Sequence, residues 1–301
     1  MRIVLFGQAA FGKDVFDALQ EAGEDIVGVS TPRPGERGDP LHEAATKAEI
    51  PVIITRDLRK DEPFEQYKAL DPELLVFAFV TDIVRKNVLD VPKHGTIQYH
   101  PSLLPKNRGI SSMAWPMIAG AEKTGVSIFW VDEGIDTGPI LLQREVEIAP
   151  DDTVGSLYFN HLYPMGIEML AEAVKLVREG NAPRIEQDNS QASYEPPIRD
   201  QHGIVDFARP GSAVYDHVRG CDPQPGASVS LNGETLRLYN PSYATGHPDE
   251  DPGTVTGSSD GAIEIAVIGG TLTIARVQAE GARKVPAAEL VNVGDVLERN
   301  A

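Results

Sequence analysis

The stretch GTIQYH, Gly95 to His100, is the last of five short apolar runs in the first half of the chain. The runs before it are RIVLFG (Arg2 to Gly7), DIVGVS (Asp25 to Ser30), PVIIT (Pro51 to Thr55) and LLVFAF (Leu74 to Phe79). Amphipathic segments separate them, near Phe11 to Ala22, Leu41 to Ala48, Pro63 to Leu70 and Thr81 to Leu89. This alternation of buried strands and helices predicts an α/β domain with a mostly parallel sheet.

The chain then continues with a strand pair and a long helical segment. GVSIFWV (Gly125 to Val131) and PILLQREVEI (Pro139 to Ile148) are predicted strands joined by the loop DEGIDTG (Asp132 to Gly138). The apolar spacing from Thr153 to Gly180 predicts a helix, which Pro164 should kink or break. A polar, proline-bearing stretch follows, and we interpret it as an ordered linker.

The last hundred residues have a different pattern. ASVSLNGETLRLYNPS (Ala227 to Ser242) alternates apolar and polar residues around Asn-Gly, which strongly indicates a β-hairpin. Gly253 to Gln278 repeats the pattern with glycine-rich turns, and a helix is expected near Gly211 to Arg219. A small antiparallel β-barrel is the simplest interpretation.

Composition restricts the class of protein. The 301 residues are 41% hydrophobic and 24% charged, with 27 basic and 45 acidic residues and a net charge of −18. Such a charge repels polyanions, and the part from Val205 onward has 7 basic and 13 acidic residues, so a nucleic-acid partner is not expected. The sequence has no apolar run long enough for a transmembrane helix and no export signal, which predicts a cytoplasmic protein without a membrane partner. Its single cysteine, Cys221, is interpreted as a buried thiol.

Cofactor motifs are missing from the sequence. GQAAFG (Gly7 to Gly12) lacks the second glycine of a dinucleotide fingerprint, and no acid follows the second predicted strand. No phosphate-binding loop and no zinc-ligand spacing occurs. We therefore expect no NAD(P) and no metal.

His100 and Asp136 are candidate functional residues. His100 ends the fifth predicted strand, and ligands in α/β sheets bind beyond the carboxyl ends of strands. A histidine at that place can equally cap a loop, and Asp136 before Thr-Gly is ordinary turn chemistry. The residues alone leave both interpretations open.

Three stretches together resemble the folate-dependent formyltransferase family. They are YHPSLLPKNRG (Tyr99 to Gly109), GVSIFWVDEGIDTGPILLQ (Gly125 to Gln143) and PDDTVGSLY (Pro150 to Tyr158). Within the family the chain is most similar to the amino-terminal hydrolase domain of 10-formyltetrahydrofolate dehydrogenases, and more distantly similar to methionyl-tRNA formyltransferases. The likeness extends over nearly the whole chain.

The resemblance implies a domain organisation and a set of site residues. A Rossmann-like folate-binding domain is expected at 1–180, a linker at 181–204 and an OB-like β-barrel at 205–301. His100, Asp136 and Gln98 are implied to be catalytic. Gln98 stands where transferases have an asparagine and the hydrolase domain an isoleucine, and it could instead be a solvated or sheet-capping amide. The folate is expected to contact residues of two loops and a strand end, namely Phe77, Phe79, Val80, Ile83 and Asp132. Lys106 and Arg108 could meet an anionic acceptor or the folate's glutamate tail, or be solvated at the surface.

The resemblance also implies the reaction. We expect hydrolysis of 10-formyltetrahydrofolate to tetrahydrofolate and formate. The alternative is transfer of the formyl group to an amine on a small metabolite or amino sugar, with methionyl-tRNA disfavoured, and a non-catalytic folate-binding module is a third possibility. Because the chain ends just after the predicted barrel, no NADP-dependent oxidation is expected.

Overall fold

The computed structural model describes residues 1–300, so that Ala301 lies outside the described part. The chain divides into two compact units, each made of separate stretches. The first, which we call the α/β unit, comprises Met1–Ile110, Gly125–Glu145 and His161–Tyr194. The second, the antiparallel unit, comprises Ser111–Thr124, Val146–Asn160 and the chain from Glu195 onward. The sequence-based division into 1–180, 181–204 and 205–301 stays a prediction.

A seven-stranded sheet organises the α/β unit. Its strands, in chain order, are β1 (Arg2–Gly7), β2 (Asp25–Thr31), β3 (Val52–Ile54), β4 (Leu74–Ala78), β5 (Thr96–His100), β6 (Lys123–Trp130) and β7 (Ile140–Glu147). Their order across the sheet is β3-β2-β1-β4-β5-β6-β7. The first five are parallel, and β6 runs antiparallel to β5. The mostly parallel, Rossmann-like sheet predicted from the sequence is confirmed.

Helices occupy most of the predicted positions. They are α1 (Ala9–Glu21), α2 (Pro40–Lys47), α3 (Asp61–Ala69), α4 (Lys86–Leu89), α5 (Ala114–Ile118), α6 (Val154–Leu157), α7 (Tyr163–Arg178) and α8 (Gly211–Gly220). The prediction of a helix from Thr81 to Leu89 is wrong for its first half, because only the last turn, Lys86–Leu89, is helical. Val80, Thr81, Ile83 and Val84 are β-branched and restrict a helix there. Within residues 1–300, no helix is both long and apolar enough to cross a bilayer.

The helical segment changes type just before Pro164 and continues without a gap to Arg178, so the predicted break is wrong and a kink there stays a prediction. A π-helical stretch, Tyr158–Leu162, lies between α6 and α7, and Pro164 lies in the first turn of α7. Proline has no N–H to donate to the preceding turn, which is consistent with the change of helix type directly before it. Gly180 follows the helix with φ of +72°, which a glycine adopts without strain.

The antiparallel unit contains a six-stranded sheet. Its strands are β8 (Ala227–Leu231), β9 (Glu234–Thr245), β10 (Val255–Ser259), β11 (Ala262–Val267), β12 (Gly270–Ala279) and β13 (Val285–Pro286). The order is β10-β11-β12-β9-β8, β13 pairs with β12, and all of these pairs are antiparallel. Asn232 and Gly233 both have positive φ, 54° and 87°, as a type I′ hairpin turn requires. The antiparallel domain is confirmed, and its closure into a barrel stays a prediction.

Candidate active site

The carboxyl end of β5 places two polar side chains on one face of the sheet. Side chains two residues apart on a strand point the same way, so Gln98 and His100 share a face. β5 lies inside the sheet between β4 and β6, and His100 pairs with Ser127 of β6. His100 is 5% exposed. A histidine buried at the end of an interior strand is well placed to serve a site beyond the sheet edge.

Asp136 reaches the same place from the loop between β6 and β7. Its backbone has φ of +55°, a conformation that aspartate tolerates better than most residues. Its Oδ1 accepts a hydrogen bond from Gln98 Nε2 at 3.3 Å, and its Oδ2 accepts one from the Gly109 N–H at 2.8 Å. The same Oδ2 lies 3.6 Å from His100 Nδ1. The structure thus brings together Gln98, His100 and Asp136, the three residues expected to be catalytic.

Both ring nitrogens of His100 face oxygen atoms. Nε2 lies 2.9 Å from the Asn107 carbonyl oxygen, and Nδ1 faces the Asp136 carboxylate. Nε2 can donate to the Asn107 carbonyl oxygen, whereas the 3.6 Å between Nδ1 and Asp136 Oδ2 is a charge–charge contact when the ring is protonated and is too long for a hydrogen bond. The site therefore suits a histidine that donates hydrogen bonds or a proton, provided that a substrate atom takes the place of the Asn107 carbonyl.

Arg108 is buried in the loop after β5, with 2% of its surface exposed. Its Nε and Nη2 donate to Gln187 Oε1 at 3.2 and 2.7 Å. Nη2 also donates to Asn189 Oδ1 and Nη1 to Tyr194 Oη, each at 2.8 Å. Of the alternatives for Arg108, solvation at the surface is wrong, because these polar partners let the guanidinium be buried. Lys106 of the same loop is exposed.

Gln187 connects the two loops that carry the site. While its Oε1 accepts from Arg108, its Nε2 donates to the carbonyl oxygens of Asp136 at 2.9 Å and Gly138 at 2.7 Å. The Gln187 amide therefore links the loop after β5 to the loop after β6, in addition to the direct bond from the Gly109 N–H to Asp136. We refer to Arg108 and Gln187, with these bonds, as the loop clamp.

Sequence reasoning missed Gln187 because it lies in the stretch interpreted as a linker. That stretch returns to the sheet: Ile185 forms a β-bridge with Ile140, and Tyr194 forms one with Arg108. The one sequence signal for contact with the sheet was the apolar Ile185, two residues before Gln187 in a mostly polar segment.

The five residues expected to contact folate differ in their surroundings. Phe77 is 3% exposed and its ring packs on Phe6 with centroids 5.0 Å apart. Phe79 and Ile83 are 46% and 85% exposed, and Val80 is half-buried. Phe79 and Val80 line one small cavity, whereas the Asp132 carboxylate accepts bonds from the Gly134 N–H and the Thr137 hydroxyl of its own loop. Phe77 thus serves the core, and folate contact by all five stays a prediction.

Metal-ligating side chains do not converge in this region. Across residues 1–300 the structure has no group of three or more histidine, cysteine, aspartate or glutamate side chains that could hold a metal ion. What the site offers chemically is one imidazole, one carboxylate and one amide. These are groups for hydrogen-bond donation and proton transfer.

Sequence comparison identifies relatives of this chain. Cytosolic 10-formyltetrahydrofolate dehydrogenase of Xenopus tropicalis is 37% identical over 310 residues, covering 98% of this chain and 34% of that protein. Methionyl-tRNA formyltransferase of Trichlorobacter lovleyi is 34% identical over 297 residues, covering 96% of this chain and 93% of that protein. The chain therefore spans about a third of the length of the dehydrogenases that it matches.

Structural comparison shows the same fold elsewhere. The crystal structure of HypX from Aquifex aeolicus in complex with tetrahydrofolic acid has a TM-score of 0.73 at 21% identity, covering 96% of this chain and 46% of that chain. The formyl transferase family model matches residues 1–174, and the formyl transferase C-terminal domain model matches residues 197–294. These matches confirm the resemblance predicted from the sequence. The chain belongs to the formyl transferase family.

Proposed function

We propose that this chain hydrolyses 10-formyltetrahydrofolate to tetrahydrofolate and formate, with His100 and Asp136 as the catalytic pair. The observation that carries the proposal is the convergence of His100, Asp136 and Gln98 beyond the carboxyl end of β5 in a chain of this family. The similarity to 10-formyltetrahydrofolate dehydrogenases along 98% of the chain supports the choice of substrate.

The chemistry requires groups of these types. Attack of water on the formyl carbon puts negative charge on the formyl oxygen, and the departing N10 must gain a proton. His100 can donate to the oxygen and then supply the proton, since a histidine exchanges protons near neutral pH. Asp136 can take the proton of the water, because a carboxylate retains acceptor capacity beyond the bonds from Gln98 and Gly109.

Gln98 bears on the choice between water and an amine. An amide donor at this position could stabilise the developing oxyanion during transfer. Here the Gln98 amide donates to Asp136 instead, so that it orients the carboxylate proposed to accept the proton. We take this contact as support for water as the acceptor.

Formyl transfer to an amine is the second candidate. It is favoured by the similarity to a methionyl-tRNA formyltransferase along 93% of that protein's length. The excess of acid in the residues from Val205 onward, 13 acidic against 7 basic, disfavours tRNA and leaves small metabolites and amino sugars as acceptors.

The first experiment mixes the purified chain with 10-formyltetrahydrofolate in the absence of any amine, and follows tetrahydrofolate absorbance and formate release. We expect release that His100→Ala and Asp136→Asn each slow by about 10² to 10⁴-fold. His161→Ala, at an exposed histidine, is the control and should retain full activity. Substrate binding without release would favour the transferase, and release that both site variants retain would contradict the assigned pair.

A second experiment tests the role of Gln98. Gln98→Asn and Gln98→Ile are compared for formate release and for formyl transfer to added small amines. If Gln98 decides the acceptor, the ratio of hydrolysis to transfer changes between the two variants. An unchanged ratio in both variants would show that Gln98 is not the discriminator.

A further inference from the structure

A polar cleft opens in the antiparallel unit, and none of the residues assigned above lines it. Its volume is about 750 Å³, within the range of roughly 300 to 1,000 Å³ that small-molecule sites occupy. Three cations, Arg199, Arg237 and Lys284, line it together with one carboxylate, that of Asp200. Such a clustering of positive charge stands out in a chain whose net charge is −18.

The sheet register explains why Arg237 and Tyr239 face the cleft. Leu236 and Leu238 of β9 are buried at 4% and 0% exposure, so that the alternate residues Arg237 and Tyr239 point to the opposite face. Arg237 pairs across the sheet with Gln278 of β12. The Tyr239 hydroxyl donates to Gln278 Oε1 at 2.9 Å, which fixes the floor of the cleft.

Lys284 is held over that floor. Its ammonium lies 3.3 Å from the centroid of the Tyr239 ring, a cation–π contact. Burial is the largest cause of a lowered pKa at Lys284, and the buried Asp222 offsets it only in part. The nearby cation Arg276 lowers the pKa of Lys284 further. An anion beside the ammonium would stabilise its charged form.

Asp200, the one carboxylate that lines the cleft, does not neutralise the positive charge of the cleft. Asp200 Oδ1 lies 3.1 Å from Arg237 Nη1, but the Asp200 side chain is 77% exposed, so water screens the pair. Arg237 Nη1 also donates to the Pro225 carbonyl oxygen, which orients the guanidinium. A ligand with two negative charges could compete with Asp200 for a guanidinium that is already positioned.

We propose that this cleft binds a phosphate-bearing small molecule, with the phosphate lying among Arg199, Arg237 and Lys284. Guanidinium groups match the geometry of phosphate oxygens, and an ammonium adds a compact charge. Three cations on three separate segments suit a dianion better than a single carboxylate. A nucleic acid is disfavoured because a long polyanion would meet the negative field of the whole chain. The site does not depend on the proposed hydrolysis.

Calorimetric titration of the full chain tests the proposal, with inorganic pyrophosphate and glycerol 3-phosphate as probes and no folate present. We expect saturable binding that Lys284→Gln and Arg237→Gln each weaken by about tenfold or more. Lys284→Arg should restore most of the affinity because it keeps the charge. Arg283→Gln, which removes the same charge at an exposed neighbour that does not line the cleft, is the matched control and should bind as the wild type does.

The two probes distinguish the sources of the phosphate. Tighter binding of the ester would show that the cleft also contacts the organic part, whereas equal or tighter binding of pyrophosphate would show that it recognises the phosphate alone. Absence of saturation at about 10 mM of either probe, or equal affinity in the wild type and Lys284→Gln, would overturn the proposal. Far-UV circular dichroism of each variant establishes that it is folded.

Discussion

Replacing Gln187 by methionine removes the centre of the loop clamp while keeping a side chain of similar length. Two amide-to-carbonyl bonds are lost, to Asp136 and Gly138, together with the shared acceptor for the Arg108 guanidinium. At about 1 kcal/mol for each neutral bond and about 2 kcal/mol for the charged contact, we expect the free energy of unfolding to fall by about 4 kcal/mol.

Activity should fall by more than the loss of stability in Gln187→Met explains. Both loops that bring Asp136 and Gly109 to His100 are held through Gln187, and a displacement of about 1 Å at a reacting group costs roughly 10²-fold in rate. Urea unfolding gives the stability, and formate release from 10-formyltetrahydrofolate gives kcat under conditions in which the variant is folded.

Two further variants separate the parts of this effect. Gln187→Glu keeps an acceptor for Arg108 but places a carboxylate oxygen against the two carbonyl oxygens, so its activity should stay as low as that of Gln187→Met. Gln191→Met makes the same change at an exposed glutamine that donates only to Asp188 in its own turn, and should change stability by less than about 0.5 kcal/mol. Wild-type stability and kcat in Gln187→Met would refute the reasoning.

The other predictions concern two glycines and the cysteine. A Cβ at Gly138 would overlap the Trp130 carbonyl oxygen. Gly138→Ala should therefore lower the free energy of unfolding by about 3 kcal/mol and displace the loop that carries Asp136. A lower urea midpoint and reduced formate release would show this, and normal activity would contradict it. A Cβ at Gly233 would meet no neighbouring atom, and the only strain is the backbone φ of +87°. Gly233→Ala should therefore lower the free energy of unfolding by about 1 kcal/mol and leave kcat unchanged. A loss as large as that of Gly138→Ala would contradict the assignment of the turn. Burial raises the pKa of Cys221 to about 12, so iodoacetamide at pH 8 should modify it only when urea unfolds the antiparallel unit, and rapid labelling of the native protein would refute its burial.

Local patterns in the sequence were sufficient for most elements of the fold. The apolar runs that became β1 to β5 depend on side-chain periodicity, and the Asn232-Gly233 turn depends on the conformations that two residues allow. The helix predicted from Thr81 failed over its first half for a related reason, since spacing alone ignored the β-branched residues in that stretch.

From the sequence alone we could name His100, Asp136 and Gln98 as candidate catalytic residues and, through the resemblance of HPSLLP and DEGIDTG to a family, assign them to one site. The tertiary structure alone showed that Gln98 donates to Asp136, that Arg108 is buried, and that Gln187 holds the two loops together. These contacts join residues 38, 79 and 51 positions apart. Periodicity predicts only which face of its own helix or strand a side chain occupies. The hydrogen-bond partner of a buried polar group depends instead on the path of the whole backbone, because the fold decides which donor or acceptor lies next to that group.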